Sequence, residues 1–141
     1  MNYFAETVLL IDDNDIENII NTKIIQANGF ARHIISKQSA DDALEYLFNE
    51  FKINKKVPGL ILLDIRMPMA DGFDFLESFE TFHETLKSKT NIVMLTSSLY
   101  DEDIKRAKEN KLVRQILNKP LTFEALDELR KTLNVDETLE V

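Results

Sequence analysis

Five side chains in the sequence could do chemistry together if the fold brings them to one place: Asp12, Asp13, Asp64, Thr96 and Lys119. Two carboxylates about 4 Å apart repel by roughly 4 kcal/mol at an effective dielectric constant near 20, so a group of three calls for a cation. A hard, oxygen-preferring ion such as Mg²⁺ suits these ligands. A lysine ammonium and a threonine hydroxyl can both donate to phosphoryl oxygens. Together these residue types indicate a metal-dependent phosphoryl pocket.

Asp64 is the member of this set that we expect to react, because it lies between the metal ligands and the hydrogen-bond donors. A carboxylate can itself be the nucleophile and form an acyl phosphate, while phosphoryl transfer otherwise depends on positioning and charge neutralisation. Asp64 ends an apolar run, and Pro68 and Gly72 punctuate the loop after it. Taken alone, Asp64 could equally cap a turn, since Asp is a common turn residue. The other residues of the set decide between the two interpretations.

Five short segments are expected to form strands: residues 8–11, 31–36, 60–63, 92–95 and 113–118. Three of them are continuous apolar runs, which are typical of strands in a parallel sheet with both faces covered. The carboxyl ends of such strands share one edge of the sheet, where open α/β folds place their ligand sites. Four of the strands end beside members of the reactive set, so we expect those residues to meet at that edge.

Helices are expected between the strands, near residues 15–28, 40–51, 73–79, 101–110 and 123–133. In the first helix, Ile16, Ile19 and Ile20 recur on one face, the pattern of an amphipathic helix, and Gly29 is expected to end it. Ser39 is expected to cap the second helix.

The remaining segments are expected to connect or to finish this pattern. Thr122 should cap the last helix, whose apolar face includes Phe123. Residues 52–56 are expected to form a basic, solvated loop, and residues 80–90 a polar connection. Strands and helices then alternate five times, which predicts a right-handed, doubly wound α/β fold: a five-stranded parallel sheet with helices on both faces.

Length and composition suit one soluble domain. A chain of 141 residues with 44% hydrophobic content can bury its own core. We expect a single domain over residues 1–141, with a core at about 7–133 and an acidic tail at 134–141. The net charge of −8 argues against nucleic acid as a partner, because phosphate repels an acidic surface.

The chain offers neither cysteine chemistry nor a membrane anchor. It has no cysteine, which excludes disulfides and thiolate ligands. The apolar run at residues 8–11 is too short for a signal peptide or a membrane span. We therefore expect a cytoplasmic protein with no membrane partner.

The order of the motifs resembles the receiver domain of two-component response regulators. The matching elements are Asp12-Asp13, Asp64, Met67-Pro68, Gly72, Thr96 and Lys119-Pro120. Each of the reactive elements stands at the end of an apolar strand, and the resemblance covers nearly the whole chain. It implies a flavodoxin-like (βα)5 fold with strand order 2-1-3-4-5.

The resemblance also implies roles for these residues. A phosphohistidine of a histidine kinase or of a histidine phosphotransfer protein would donate its phosphoryl group to Asp64. Mg²⁺ would be held by Asp13, Asp64 and the backbone carbonyl of Arg66, and by Asp12 through water. Lys119 would pair with the phosphoryl group.

The remaining implications concern signalling. Thr96 would turn toward the phosphoryl group, and the Lys119-Pro120 bond would be cis. The signalling face would consist of the helix near residues 101–110, the fifth strand and the last helix. The protein would act only on its own phosphoryl group, as a stand-alone phosphoacceptor without an output domain. A homodimer through the signalling face is a further hypothesis, and the downstream target protein is unknown.

Two positions depart from the family pattern. Ile116 stands where the family usually has Tyr or Phe, and Ser97 stands where a small residue often follows the threonine. An alternative is therefore a receiver-like module that binds partners without phosphorylation. A haloacid-dehalogenase-like phosphatase would need a second Asp two residues after Asp64, where this chain has Arg66.

Overall fold

Five parallel strands form the sheet that positions the rest of the chain. The computed structural model describes residues 2–97 and 100–135. Its strands are β1 (Ala5–Ile11), β2 (Ala31–Lys37), β3 (Leu60–Leu63), β4 (Asn91–Thr96) and β5 (Val113–Asn118). They pair in the order β2-β1-β3-β4-β5, and each pair is parallel. The predicted sheet and its strand order are confirmed.

Helices connect the strands on both faces of the sheet. They are α1 (Asp15–Asn28), α2 (Ala40–Asn49), α3 (Gly72–Phe79), α4 (Glu84–Lys89), α5 (Asp101–Glu109) and α6 (Phe123–Thr132). Gly29 ends α1 with a φ of 70°, a left-handed conformation that glycine adopts without a steric penalty. The side chains of Ser39 and Thr122 accept backbone hydrogen bonds at the starts of α2 and α6, as predicted.

The core consists of two layers, because successive residues of a strand point to opposite faces of the sheet. Leu9 and Ile11 of β1 contribute to the layer that contains α2, α3, α4 and α5. Val8 and Leu10 contribute to the layer that contains α1 and α6. Every residue of β3 and β4 is buried, as expected for central strands of a covered parallel sheet.

The apolar stripe of α1 faces solvent, contrary to what its amphipathic pattern indicates. Ile16, Ile19 and Ile20 are 67%, 50% and 46% exposed. The buried residues of α1 are Asn18, Asn21 and Ile25, and the Nδ2 atom of Asn18 donates a hydrogen bond to the backbone oxygen of Asp12 at 2.9 Å. This bond satisfies the Nδ2 group of the buried amide and links α1 to the end of β1.

Two connections are more helical than the sequence indicated. The expected loop at residues 52–56 starts within a π-helical segment, Glu50–Asn54, and the expected polar connection at residues 80–90 contains α4. Leu86, which is 1% exposed, anchors α4. A single apolar residue among polar neighbours gives no periodic signal, which explains why α4 was missed.

The exposure of Phe123, the first residue of α6, also differs from the prediction. Phe123 was expected on the apolar face of the helix but is 46% exposed, since it lies at the helix end, before the buried Leu126 and Leu129. Residues 136–141 of the expected tail lie outside the described residues. Among the residues that are described, no helix has both the length and the apolar character needed to cross a membrane.

Candidate functional site

The register of the strands places the predicted residues at one edge of the sheet. Ile11 is paired with Leu63, and the backbone N–H of Asp64 donates to the oxygen of Ile11 at 2.9 Å. The residues that follow these two strands, Asp12 and Asp64, therefore lie side by side. On the other side of β3, the backbone N–H of Lys119 donates to the oxygen of Thr96 at 2.9 Å.

Three carboxylates meet at this edge, as predicted. One oxygen from each of Asp12, Asp13 and Asp64 lies within 4.8 Å of the others. Asp12 and Asp64 are buried, whereas Asp13 is exposed. An all-oxygen donor set of this size and charge fits a hard divalent cation such as Mg²⁺.

Lys119 reaches the same cluster from the end of β5. Its Nζ lies 2.8 Å from Asp12 Oδ2 and 3.6 Å from Asp64 Oδ1, and its side chain is 13% exposed. The Lys119-Pro120 bond is cis, as the family resemblance implied. One ammonium thus serves two carboxylates, and the cluster keeps a surplus of negative charge.

The pKa of the Asp64 carboxyl is raised from 3.8 to about 6. Burial is the largest cause, the neighbouring charge of Asp12 adds to it, and Lys119 opposes the change. For Lys119, burial lowers the pKa of the ammonium, but the hydrogen bond to Asp12 and the charge of Asp64 outweigh burial and raise it. The lysine therefore stays charged at neutral pH, and a cation at the cluster would favour the ionised form of Asp64.

Two asparagines at the start of α1 hold Asp12 in place. The backbone N–H of Asn14 donates to Asp12 Oδ1 at 2.9 Å, and Asn18 Nδ2 donates to the Asp12 carbonyl. Asn14 also caps α1, a role that the preference of Asn for helix starts could have predicted. Asn18 was missed, because a buried asparagine in a helix carries no readable signal in one sequence.

The loop after Asp64 depends on Gly72. The backbone N–H of Gly72 donates to the oxygen of Ile65 at 2.8 Å. A Cβ atom at this position would lie 2.6 Å from the backbone oxygen of Asp64 and 3.1 Å from Ile65 Cα. A close approach of this kind requires glycine, so Gly72 shapes the backbone on which Asp64 and Arg66 stand.

Arg66 lies two residues after Asp64 in this loop. Its guanidinium forms a two-point salt bridge with Asp103 of α5, at 2.9 Å from Nε to Oδ2 and 2.7 Å from Nη2 to Oδ1. The family resemblance implied a role for the Arg66 backbone carbonyl only. The side-chain contact was missed, because nothing in the sequence links two charged residues that are 37 positions apart.

An open cleft of about 430 Å³ gives access to the cluster. It is lined by Asp12, Asp13, Asn14, Glu17, Asp64, Ser97, Lys119 and Pro120. Thr96 is 1% exposed at the end of β4, and Ser97 is the residue of this segment that lines the cleft. Ile116 is half-buried and packs against the core layer that contains α5.

The fold and the site together define a flavodoxin-like α/β protein with an acidic, lysine-paired cleft at the carboxyl edge of its sheet. The sequence matches the family model of the response regulator receiver domain over residues 8–132. The chain therefore belongs to the response regulator receiver family, which is consistent with two-component signalling.

Individual relatives agree with this assignment. A two-component response regulator from Cytophaga hutchinsonii superposes with a TM-score of 0.82 at 35% sequence identity, covering 90% of this chain and 95% of that one. The probable methanogenesis regulatory protein FilR2 of Methanothrix harundinacea is 33% identical over 119 residues, which are 84% of this chain and 75% of FilR2. The response regulator VraR of Staphylococcus saprophyticus is 26% identical over 94% of this chain but only 59% of its own length.

Proposed function

We propose that this chain is a phosphoacceptor that takes a phosphoryl group onto Asp64 from a phosphohistidine of a histidine kinase or a histidine phosphotransfer protein. The observation that carries the proposal is the position of Asp64. Its carboxyl is part of the cleft wall, next to Asp12 and Lys119. This is the place where an incoming phosphoryl group would find a nucleophile and a positive charge together.

In the proposed step, an Asp64 carboxylate oxygen attacks the phosphorus atom. An O–P bond forms as the P–N bond to the donor imidazole breaks, and the leaving imidazole takes up a proton from water. Lys119, held at 2.8 Å by Asp12, would pair with a phosphoryl oxygen and remain a cation throughout. Thr96 would donate its hydroxyl to another phosphoryl oxygen.

The residues present fit a divalent cation. Asp13, Asp64 and the Arg66 carbonyl would hold Mg²⁺ directly, and Asp12 would do so through water. When bound, Mg²⁺ supplies positive charge that offsets the repulsion between the carboxylates and the phosphoryl oxygens. Asn14 and Asn18 contribute by keeping Asp12 fixed at this point.

The exposed apolar face of α1 supports a protein as the donor. Ile16, Ile19 and Ile20 are about half exposed or more, and the helix that carries them starts at the rim of the cleft, where Asn14 and Glu17 line it. A donor protein must touch this rim to bring its phosphohistidine to Asp64. An apolar helix face beside the reacting group offers such a protein a surface to bury.

Output would occur by contact, in the cytoplasm, through the face formed by α5, β5 and α6, either with an unidentified target protein or with a second copy of the chain. The protein would act only on its own phosphoryl group and not on other substrates. Ile116 supports a second candidate function, because it lacks the aromatic ring that the family pattern would place in the switch. That candidate is a receiver-like module that binds partners without being phosphorylated.

The experiment that tests the proposal is intact-mass measurement after incubation with acetyl phosphate, with and without Mg²⁺. We expect a Mg²⁺-dependent, hydroxylamine-labile phosphoryl adduct on the wild type and on Asp101→Asn, a matched change at an exposed carboxylate of α5. Asp64→Asn should remain unlabelled. An Asp64→Asn protein that is labelled as fully as the wild type would contradict the assignment. A wild type that neither acetyl phosphate nor a cognate kinase labels would favour the non-phosphorylated module.

A further inference from the structure

The salt bridge between Arg66 and Asp103 joins the reacting loop to a signalling helix. Both nitrogen–oxygen contacts are short, 2.9 Å and 2.7 Å, so the planar guanidinium fixes both the distance and the orientation of the carboxylate. Arg66 stands in the loop that begins at Asp64, and Asp103 stands in the first turn of α5. The bridge therefore links the positions of the two segments.

The carboxylate end of this bridge is buried. Asp103 is 5% exposed, whereas its neighbours Asp101 and Glu102 are exposed. A buried carboxylate that loses a charged partner pays a large desolvation penalty, so the pair has a strong tendency to stay together when the loop moves.

The same guanidinium also contacts the start of α5. Arg66 Cζ lies 5.7 Å from the ring centroid of Tyr100, the N-cap residue of the helix. One side chain from the reacting loop thus touches both the first residue before α5 and its first turn. These contacts link the start of α5 to the reacting loop.

Apolar packing holds α5 only weakly. Its buried residues are Asp103 and Ala107, and Ile104 is half-buried. A second arginine of the helix, Arg106, stacks over Phe73 of α3 at 4.1 Å. With so little apolar burial, the position of α5 depends on polar and cationic contacts that can shift without disrupting the core.

We propose that the Arg66–Asp103 pair is a positioning contact that couples the phosphoryl state of Asp64 to the placement of α5. The inference rests on the proposed function of Asp64. Because Ile116 offers no aromatic ring on β5, this bridge provides a direct route from the site to α5. Coupling of this kind is reciprocal, so a target that binds α5 and shifts it also changes how firmly the site holds the phosphoryl group.

Hydrogen exchange measured by mass spectrometry tests this coupling, with Mg²⁺ and beryllofluoride as the phosphoryl mimic. Peptides that contain residues 12–16 and 64–72 report binding at the site, and peptides that contain residues 101–109 report α5. In the wild type we expect the exchange rates of both sets of peptides to change when the mimic is added, with a change of about twofold or more in α5. In Asp103→Asn and in Asp103→Ala, we expect the α5 response to fall to less than about a third of that value.

The matched control is Glu102→Gln, which removes the same charge from the exposed neighbour and should respond as the wild type does. Retained protection of the site peptides in the two bridge variants shows that they still bind the mimic. Full α5 responses in both variants, or a wild type whose site responds while α5 does not, would overturn the coupling. A wild type whose site peptides do not respond at all would overturn the proposed function, and the coupling with it.

Discussion

Lys119 and Asp12 form an ion pair of 2.8 Å across 107 positions of the chain, and both side chains are largely buried. The same ammonium lies 3.6 Å from Asp64. The lysine therefore lies closer to Asp12 than to the carboxylate that we propose to react. Burial, followed by the neighbouring charge of Asp12, raises the pKa of Asp64 although this cation is nearby.

Removing the Lys119 side chain should lower the stability of the protein in EDTA without changing its fold. In Lys119→Ala, Asp12 and Asp64 lose their cation, so we expect the free energy of unfolding in EDTA to fall by about 2 kcal/mol, below the usual cost of breaking a buried pair because the cleft is open. Added Mg²⁺ should stabilise this variant more than the wild type. Urea unfolding measures both quantities, with Lys111→Ala as the control at an exposed lysine. An equal effect of Mg²⁺ on all three proteins would contradict this account.

Asp64→Asn should stabilise the metal-free protein at high pH. Between about pH 4 and 6 the folded state holds the Asp64 proton more tightly than the unfolded chain does, so the stability of the wild type falls as the pH rises through this window. Asparagine carries no charge and avoids that loss. We expect a gain of about 1–2 kcal/mol near pH 8, less than two pKa units would give because solvent reaches the cleft, and little difference near pH 4.

Denaturant unfolding at several pH values in EDTA measures the effect, and Asp101→Asn serves as the control on an exposed surface. A gain in stability that is the same at both ends of the pH range would show that lost packing or hydrogen bonds, rather than the charge of Asp64, cause the difference.

The sequence predicted the sheet edge well, because strand ends are marked by a change in residue type. The buried runs of β3 and β4 stop at Asp64 and Thr96, so the sequence itself marks the place where each strand leaves the core. The predicted bounds of α1 and β5 match those observed. Once the strands are parallel, their ends must share an edge, and the cluster follows from that geometry.

The orientation of α1 could not be predicted in the same way. Ile16, Ile19 and Ile20 recur at helical spacing, yet they face solvent, while Asn18 is buried and donates a hydrogen bond to the Asp12 backbone. Hydrophobic periodicity assumes that apolar residues are the buried ones, which fails where a partner surface or a polar network decides the orientation. The Arg66–Asp103 bridge was missed for a related reason, since a contact between distant charges depends on the folded loop.

Mg²⁺ should stabilise the protein through Asp13. A ligand that binds only the folded state raises its stability by about 2.7 kcal/mol at 100 times the dissociation constant. We expect a clear rise in the melting temperature of the wild type with Mg²⁺ and little rise in Asp13→Asn, because a ligand of the metal is lost. Asp41→Asn, a change at an exposed carboxylate of α2, should behave as the wild type does. A full Mg²⁺ response in Asp13→Asn would remove Asp13 from the metal site.

Gly72→Ala should disturb the site through the backbone. The added Cβ would lie 2.6 Å from the backbone oxygen of Asp64, so the loop must move. We expect the free energy of unfolding to fall by about 1–3 kcal/mol. Mg²⁺ affinity should fall as well, because Asp64 and the Arg66 carbonyl shift together. Thermal unfolding and a Mg²⁺ titration measure the two effects. Ser78→Ala, on the exposed side of α3, is the control and should change neither.

The exposed apolar face of α1 should affect the rate of phosphoryl transfer from a protein donor but not from a small-molecule donor. Replacing Ile20 with serine removes apolar surface that is 46% exposed and packs little against the core, so the fold should be retained. We expect phosphoryl transfer from a cognate phosphohistidine protein to slow by about tenfold, since a buried apolar contact contributes on the order of 1–2 kcal/mol. Labelling by acetyl phosphate should proceed at the wild-type rate, because that donor needs only the cleft.

Ile53→Ser, at a side chain that is 71% exposed in the π-helical segment, is the matched control. Equal slowing by both substitutions, or slowing with acetyl phosphate as well, would exclude the α1 face as the docking surface.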